Sequence, residues 1–161
     1  MIGSHPTVGC VVYLDKMTKD QAKRRIFIGL CSLIPETSWQ QSNLGSLFAL
    51  AQLGTSDIQV LVHVHEEPPG IFVLLNFDED QVIQISHRTG LTITELLSPY
   101  IVALETVEGS NAIGIGFELS PPSGEDDQSL KDAGIAQFFV WDADNAKWIR
   151  RELLPMVGHY L

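Results

Sequence analysis

Two apolar stretches joined by a turn sequence constrain the fold of this chain more than any other feature. Residues 57–65, DIQVLVHVH, carry β-branched residues at alternate positions, and residues 70–77, GIFVLLNF, are apolar almost throughout. Alternation predicts a strand with one buried face, and a continuous apolar run predicts a strand that is covered on both faces. The intervening EEPPG has the proline and glycine that are typical of turns. The sequence therefore predicts a β-hairpin whose second strand is central in a sheet.

The rest of the chain divides into further strands and a few helices. Strand-like composition predicts four more strands, at residues 7–14, 111–120, 135–142 and 147–153. Helical spacing predicts three helices, at residues 19–34, 38–53 and 91–109. Residues 78–90 are compatible with either a strand or a short helix. This order favours an α+β fold, a mostly antiparallel mixed sheet of about five to seven strands with two to three helices packed on it.

Two helix boundaries depend on capping residues. Thr18 and Gln21 have the spacing of a capping box, which predicts that the first helix begins directly after Thr18. Gly54 is expected to end the second helix, because glycine readily adopts the left-handed conformation that follows a helix.

The length of 161 residues, of which 45% are hydrophobic, predicts a single globular domain over residues 1–161. Residues 121–134, PPSGEDDQSLKDAG, are rich in acids and turn formers, which predicts a mobile acidic loop. No apolar run reaches the ~18–20 residues that span a bilayer. Cys10 and Cys31 lie in apolar runs and are expected to be buried free thiols. These features indicate a cytoplasmic protein without a membrane partner.

The net charge of −10 is concentrated in one part of the chain. Residues 66–144 contain 15 acidic residues and 2 basic ones. Charge of this sign attracts basic partners and repels nucleic acid and anionic membranes. Five basic residues cluster near the N-terminus: Lys16, Lys19, Lys23, Arg24 and Arg25. A solvated helix face explains this cluster, and binding of a phosphate or a partner through Lys23, Arg24 and Arg25 stays open.

The stretch His63-Val-His-Glu-Glu67 is the strongest candidate for a site in the sequence. Alternate residues of a strand share a face, so His63 and His65 are predicted to lie together, opposite a face of buried valines. Two histidines in this arrangement can bind one metal ion, with Glu66 or Glu67 as a further polar group. The competing interpretation is an exposed polar strand face that binds no metal.

The same stretch resembles the first motif of the cupin family, in which His-x-His on a strand precedes a glutamate and an aromatic-aliphatic strand. HVH and IFVLLNF match this motif in kind. The resemblance implies a metal site that uses His63 and His65. The family's glutamate falls where this chain has Pro69 or Gly70, and the family's second motif has no good match in the sequence.

A second resemblance concerns DQVIQISHRTGLTITELLSPY, which is similar to the helix-turn-helix of DNA-binding regulators. Ser86 takes the small position of the first helix, Gly90 the turn, and Leu91 and Leu96 the buried positions. The resemblance implies a recognition helix. The charged side chain of that helix is Glu95, whereas base readout relies on Arg, Lys, Asn or Gln.

Motifs of common catalytic sites, such as a Gly-x-Ser-x-Gly elbow or a dinucleotide fingerprint, are missing from the sequence. We therefore expect no cofactor and a non-catalytic acidic module, of the immunity, inhibitor or chaperone kind, that captures a basic or amphipathic partner protein. A homodimer stays open. The element order from residue 38 onward is similar to that of type III secretion chaperones. The alternatives are a small-ligand or metal-dependent enzyme that uses His63 and His65, and a nucleic-acid-binding regulator.

Overall fold

The computed structural model of the protein describes residues 6–41, 43, 47–67 and 70–153. These residues form one sheet of eight strands together with four helices. The strands are β1 (Thr7–Leu14), β2 (Gln40–Gln41), β3 (Leu47–Leu53), β4 (Ser56–Glu67), β5 (Gly70–Asp78), β6 (Ser110–Phe117), β7 (Ile135–Asp142) and β8 (Lys147–Glu152). The helices are α1 (Lys19–Gly29), α2 (Glu79–Thr89), α3 (Ile93–Glu105) and the short α4 (Asp127–Asp132).

The first strand of the chain lies inside the sheet. The strand order is β2-β3-β4-β5-β1-β6-β7-β8, and every neighbouring pair runs antiparallel. β1 inserts between β5 and β6, so that a strand from the N-terminus joins two strands that are distant in sequence. This architecture confirms the predicted α+β class. It also places β5 in the interior of the sheet, as its continuous apolar run predicts.

The helix predicted over residues 38–53 is wrong, and the sheet accordingly exceeds the predicted five to seven strands. Leu47–Leu53 form β3, in which every second side chain turns to the core and the intervening ones turn outward. Alanine and leucine are among the best helix formers, but such preferences are small in energy, and pairing with β4 along the full length of β3 overrides them. Gly54, which was expected to end this helix, lies in the hairpin turn between β3 and β4. Its φ of 63° is the left-handed conformation that glycine adopts without steric cost.

Helices α1, α2 and α3 cover one face of the sheet, called here the inner face. Alternate side chains of β1, β4 and β5 point to this face and pack against the apolar sides of the three helices. Large side chains in this core are fully buried: Leu14, Ile26, Phe77, Leu97, Tyr100 and Leu104. The main hydrophobic core therefore lies between the inner face and the three helices, which do not cover the opposite face.

The opposite face, called here the outer face, is covered over part of its width. The segment between β6 and β7, which contains α4, packs over β1, β6 and β7 and forms a second apolar cluster. Leu119 and Leu130 of this segment contact the sheet residues Val11, Ile135 and Phe138 within that cluster. Residues 127–132 of the predicted acidic loop form α4, which the buried Leu130 anchors to the sheet, and the mobility of the loop stays a prediction.

Side-chain caps determine where the helices begin. The N–H of Gln21 donates to Thr18 Oγ1 at 3.2 Å, and the N–H of Thr18 donates to Gln21 Oε1 at 3.0 Å, which confirms the predicted capping box. Thr92 begins α3 with the same arrangement. Residues 78–90, where strand and helix were both open, contain α2, which ends at Gly90 with φ 75°.

The two cysteines lie in different environments. Cys10 is buried in β1, but Cys31 is exposed just after α1, so the prediction of two buried thiols is wrong for Cys31. The apolar C-terminal residues 154–161 and the turn residues 68–69 lie outside the described part of the chain. Within the described part, no helix is long and apolar enough to cross a membrane.

Candidate functional site

Strand β4 divides the predicted site residues between the two faces of the sheet. His63, His65 and Glu67 occupy alternate positions on the outer face. Glu66 lies on the inner face, where it lines the same shallow depression as Lys19 at the start of α1. The four residues therefore do not form one cluster, because successive residues of a strand point to opposite sides.

The two histidine rings lie side by side on the outer face, with their centroids 6.4 Å apart. Burial and the nearby charge of His65 lower the pKa of His63 from its usual value near 6.5. Among the described residues, no group of three or more histidine, cysteine, aspartate or glutamate side chains is arranged to hold a metal ion. In that part of the chain, the ligand set implied by the resemblance to cupins is not assembled.

A cleft of about 290 Å³ opens on the outer face beside the histidines. Its floor consists of side chains from β1, β5, β6 and β7, and its roof consists of residues 122–125 together with Leu130. Phe72 of the floor is the pairing partner of His65 across β4 and β5. The cleft and the histidines therefore share a border, with Glu67 at the β4 side of the cleft.

The shape of the cleft depends on glycines at two positions. The rings of Tyr13 and Phe72 pack with centroids 4.9 Å apart and form the aromatic wall of the cleft. A Cβ at Gly70 would overlap the Tyr13 ring, so glycine lets the ring lie across the start of β5. A Cβ at Gly114 would lie 3.0 Å from Val11 Cγ1, so this glycine keeps the floor low.

Two carboxylates line the cleft without a cationic partner. Neither Glu67 nor Glu125 forms an ion pair with a described residue, and both are exposed. Burial, together with the charges of Asp15 and Glu125, raises the pKa of Tyr13. Glu125 is therefore close enough to the Tyr13 hydroxyl to interact with it electrostatically. The cleft combines an apolar interior with an acidic border.

The neighbouring acids of the roof are engaged within the protein. Asp126 accepts hydrogen bonds from the N–H and the hydroxyl of Ser129 and caps α4, which lowers the pKa of its carboxyl. Asp127 pairs with Arg151 of β8 at 3.1 Å. The guanidinium of Arg151 also lies 5.7 Å from the ring centroid of Phe138. Arg151 also donates from Nη2 to the backbone carbonyl oxygen of Glu125 at 3.3 Å. These contacts hold the roof against the sheet, and the carboxylate of Glu125 forms no ion pair with a described residue.

Beyond the cleft, the outer face of β3 and β4 exposes a row of apolar side chains. Leu50 is 53% exposed and Leu61 is 40% exposed. Phe48 lies directly opposite Leu61 in the register of the two strands, and it is partly exposed. Single exposed leucines are ordinary, but neighbouring ones on a flat sheet form a patch of the kind found at binding surfaces.

The basic residues near the N-terminus do not act as one patch. Arg25 donates from Nη1 to the carbonyl oxygen of Glu108 at 2.9 Å, and this contact ties α1 to the turn after α3. Lys23 and Arg24 instead line a shallow depression on the outer side of α1, where Ile28 is 66% exposed. Arg25 therefore has a structural role, and Lys23 and Arg24 remain on the surface.

α2 and α3 follow one another across a glycine, as the helix-turn-helix resemblance implies, but they lack its chemistry. Gly90 joins the helices, and the buried Ser86 donates its hydroxyl to the carbonyl oxygen of Leu91 at 2.6 Å. Leu96 is buried as predicted, whereas Leu91 is 37% exposed, so its predicted burial is wrong. α3 packs its apolar side on the sheet, and its charged side chains are acidic. Such a helix offers phosphates no positive charge.

Sequence reasoning found the histidines but not the cleft beside them. Tyr13, Gly114 and Glu125 come from three distant segments, and the insertion of β1 between β5 and β6 brings them together. One signal in the sequence points to this arrangement. Leu119 and Leu130 are apolar residues around a polar segment, and such residues commonly anchor a loop to a sheet.

Comparisons with known proteins give no further assignment. No family model matches the chain, and no curated protein and no solved structure matches it. The similarity of element order to type III secretion chaperones depended on a helix over residues 38–53. Residues 47–53 form strand β3 instead, so the structure does not have the element order on which that similarity was based.

Proposed function

We propose that the protein is a non-catalytic acidic module that captures a basic, amphipathic segment of a partner protein on its outer sheet face. Immunity proteins, inhibitors and chaperones work in this way, by covering a segment of another protein. The two free thiols suit the cytoplasm, where cysteines stay reduced. The concentrated negative charge supports capture of a basic partner, since complementary charge speeds association and discourages wrong partners.

The observation that carries the proposal is the presence of an apolar row and an acidic cleft on the same sheet face. Leu50 and Leu61 expose aliphatic surface at one end of this face, and the cleft with Glu67 and Glu125 lies at the other. A segment with apolar side chains followed by a positive charge is complementary to both parts. Burial of the apolar row would stabilise the complex by about 25 cal/mol per Å² of apolar surface removed from water, before the cost of association.

The test is native mass spectrometry of the protein isolated gently from its own host. We expect a complex with a basic protein that dissociates as salt is raised from about 0.05 to 0.5 M, because screening weakens charge attraction. The double variant Leu50→Gln/Leu61→Gln should lose the partner by at least about tenfold in affinity, since it removes the apolar row. Ile28→Gln is the control, because Ile28 is also an exposed aliphatic side chain, at 66%, but lies on α1.

Two results would contradict the proposal. One is a partner that stays bound to the Leu50→Gln/Leu61→Gln protein as tightly as to the parent protein. The other is a complex that is lost equally in the Ile28→Gln control, which would place the contact surface on the helical side.

A second candidate function is a small-ligand protein that uses the His63 and His65 side of the cleft. The observation that favours it is the closeness of the cavity to His65 through its pairing partner Phe72. The same mass measurement separates the two functions. A protein that arrives without a partner but heavier by a small molecule or an ion, and loses that mass on His65→Ala, supports the second candidate.

A further inference from the structure

We propose that the cleft is a pocket for a single lysine or arginine side chain of the partner. Its alkyl part would lie along the wall formed by Tyr13 and Phe72, and its charge would lie between Glu67 and Glu125. This inference rests on the proposed function and names the chemical group that the outer face recognises.

The size of the cleft matches one long side chain. At about 290 Å³, it lies at the lower limit of the ~300–1,000 Å³ that pockets for drug-sized ligands occupy. The roof residues 122–125 and Leu130 narrow the cleft from above, and Gly114 deepens it from below. One long side chain that enters the cleft would lie between this roof and the floor of the sheet.

The lining suits a group that is apolar along its length and charged at its tip. Leu130 and Phe138 offer apolar surface to methylene groups, which lysine and arginine bury while their charge stays near water. The tilted rings of Tyr13 and Phe72 also attract a cation over their faces. A neutral apolar side chain would fill the interior but would leave the two carboxylates without a partner.

The charges at the border select a cation. Glu67 comes from β4 and Glu125 from the roof, so a charge between them would meet a carboxylate on either side. Neither carboxylate has an ion-pair partner among the described residues. An anionic side chain would be repelled by both.

The protein contains an internal example of the same recognition next to the cleft. The guanidinium of Arg151 lies 5.7 Å from the ring centroid of Phe138 and pairs with Asp127 of α4 at 3.1 Å. An aromatic ring of the sheet and an acid of the roof segment therefore already bind one guanidinium. The same guanidinium donates to the backbone carbonyl oxygen of Glu125 at 3.3 Å, while the Glu125 carboxylate forms no ion pair with a described residue. The cleft repeats the combination of rings and acid with Tyr13, Phe72 and Glu125, and a partner would supply its cation.

The test uses model compounds, so that it does not depend on the identity of the partner. The ¹⁵N-labelled full chain is titrated with Nα-acetyl-arginine methylamide and Nα-acetyl-lysine methylamide, and Nα-acetyl-norleucine methylamide serves as the neutral control of similar length. We expect saturable shifts of backbone signals around the cleft, with Gly114 and Gly124 among them, for at least one cationic compound. The norleucine compound should bind at least about threefold more weakly, since it lacks the charge.

Neutral variants of the two carboxylates show whether Glu67 and Glu125 bind the positive charge of the ligand. The double variant Glu67→Gln/Glu125→Gln should weaken cation binding by about three- to tenfold and leave norleucine binding unchanged. Glu36→Gln/Glu108→Gln is the matched control, because it removes two exposed acids that do not line the cleft. Since all four side chains are exposed, the variants are expected to fold like the parent protein.

The outcomes separate this inference from the proposed function. Equal binding of norleucine, shifts outside the cleft, no shift at all, or no effect of Glu67→Gln/Glu125→Gln overturns the inference, even if a salt-sensitive partner complex that depends on Leu50 and Leu61 persists. Binding of the cationic compounds in the cleft without such a partner complex supports the chemistry of the pocket and overturns the proposed function instead.

Discussion

The imidazole of His63 shares the outer face with that of His65, and its pKa is lowered first by burial and then by this neighbouring charge. A lowered pKa means that the unfolded chain binds this proton more tightly than the folded protein. The neutral form of His63 therefore contributes stability above pH ~6.5, and this contribution is lost as the pH falls through and below that value. Protonation of the His63 imidazole is thus linked to the stability of the folded protein.

The His63 titration tests this link directly. In a ¹³C or ¹⁵N NMR titration of the imidazole signals, we expect a midpoint for His63 below ~6.5, and His65→Gln should move it upward because a like charge is removed. His87→Gln, on α2, is the control and should leave the midpoint in place. A midpoint at or above the usual value in the parent protein would show that the two rings do not interact as the geometry indicates.

At the scale of elements, one buried side chain joins the helical layer to the strand that sequence reasoning misread. Tyr100 of α3 is fully buried, and its hydroxyl donates to the carbonyl oxygen of Gln52 in β3 at 2.5 Å. Burial raises the pKa of Tyr100, which keeps the hydroxyl protonated and able to donate. The bond pairs a carbonyl group that the core would otherwise leave unsatisfied.

Tyr100→Phe keeps the ring, including its edge contact with Phe77, and removes this hydrogen bond. We expect a loss of about 1–3 kcal/mol in the free energy of unfolding, because the Gln52 carbonyl is left without its partner. Urea unfolding followed by tryptophan fluorescence measures the difference. Tyr13→Phe is the control on the outer face and should cost less, and an unchanged stability in Tyr100→Phe would mean that the hydroxyl does not make this bond.

At the scale of the whole molecule, repulsion between acids outweighs the ion pairs that the structure describes. The net charge is −10, and the two ion pairs among the described residues, Arg150–Glu152 and Arg151–Asp127, are exposed. Exposed pairs contribute little, about 0–1 kcal/mol each. Glu79 illustrates the repulsion, since burial and the charges of Asp80, Glu118 and Asp78 raise its pKa.

Added salt should therefore stabilise the protein. We expect the midpoint of urea unfolding to rise between about 0.02 and 0.2 M NaCl, because screening weakens the repulsion. Glu79→Gln should raise the free energy of unfolding at low salt by less than about 1 kcal/mol, and the urea midpoint with it, and Glu36→Gln should change both less. A midpoint that falls with added salt would show that attraction between charges dominates the fold.

Features that depend on neighbouring residues could be predicted from the amino-acid sequence. Alternation along residues 57–65 defined β4 and its two faces, the continuous run of residues 70–77 placed β5 inside the sheet, and Thr18 with Gln21 marked the start of α1. These signals are local, because a side chain's direction follows directly from the period of its own segment. They were sufficient for the α+β class and for the position of His63 and His65 on one strand face.

The tertiary structure decided what depends on residues far apart in the chain. β3 is a strand because β4 pairs with it, although its leucines and alanines fit a helix as well. The cleft exists because β1 enters the sheet between β5 and β6, and because Leu130 holds the segment around α4 over them. Neither the position of β1 in the sheet nor the packing of Leu130 can be predicted from the hydrophobic periodicity or composition of a single segment. Burial and long-range pairing select among conformations that the local sequence leaves nearly equal in free energy.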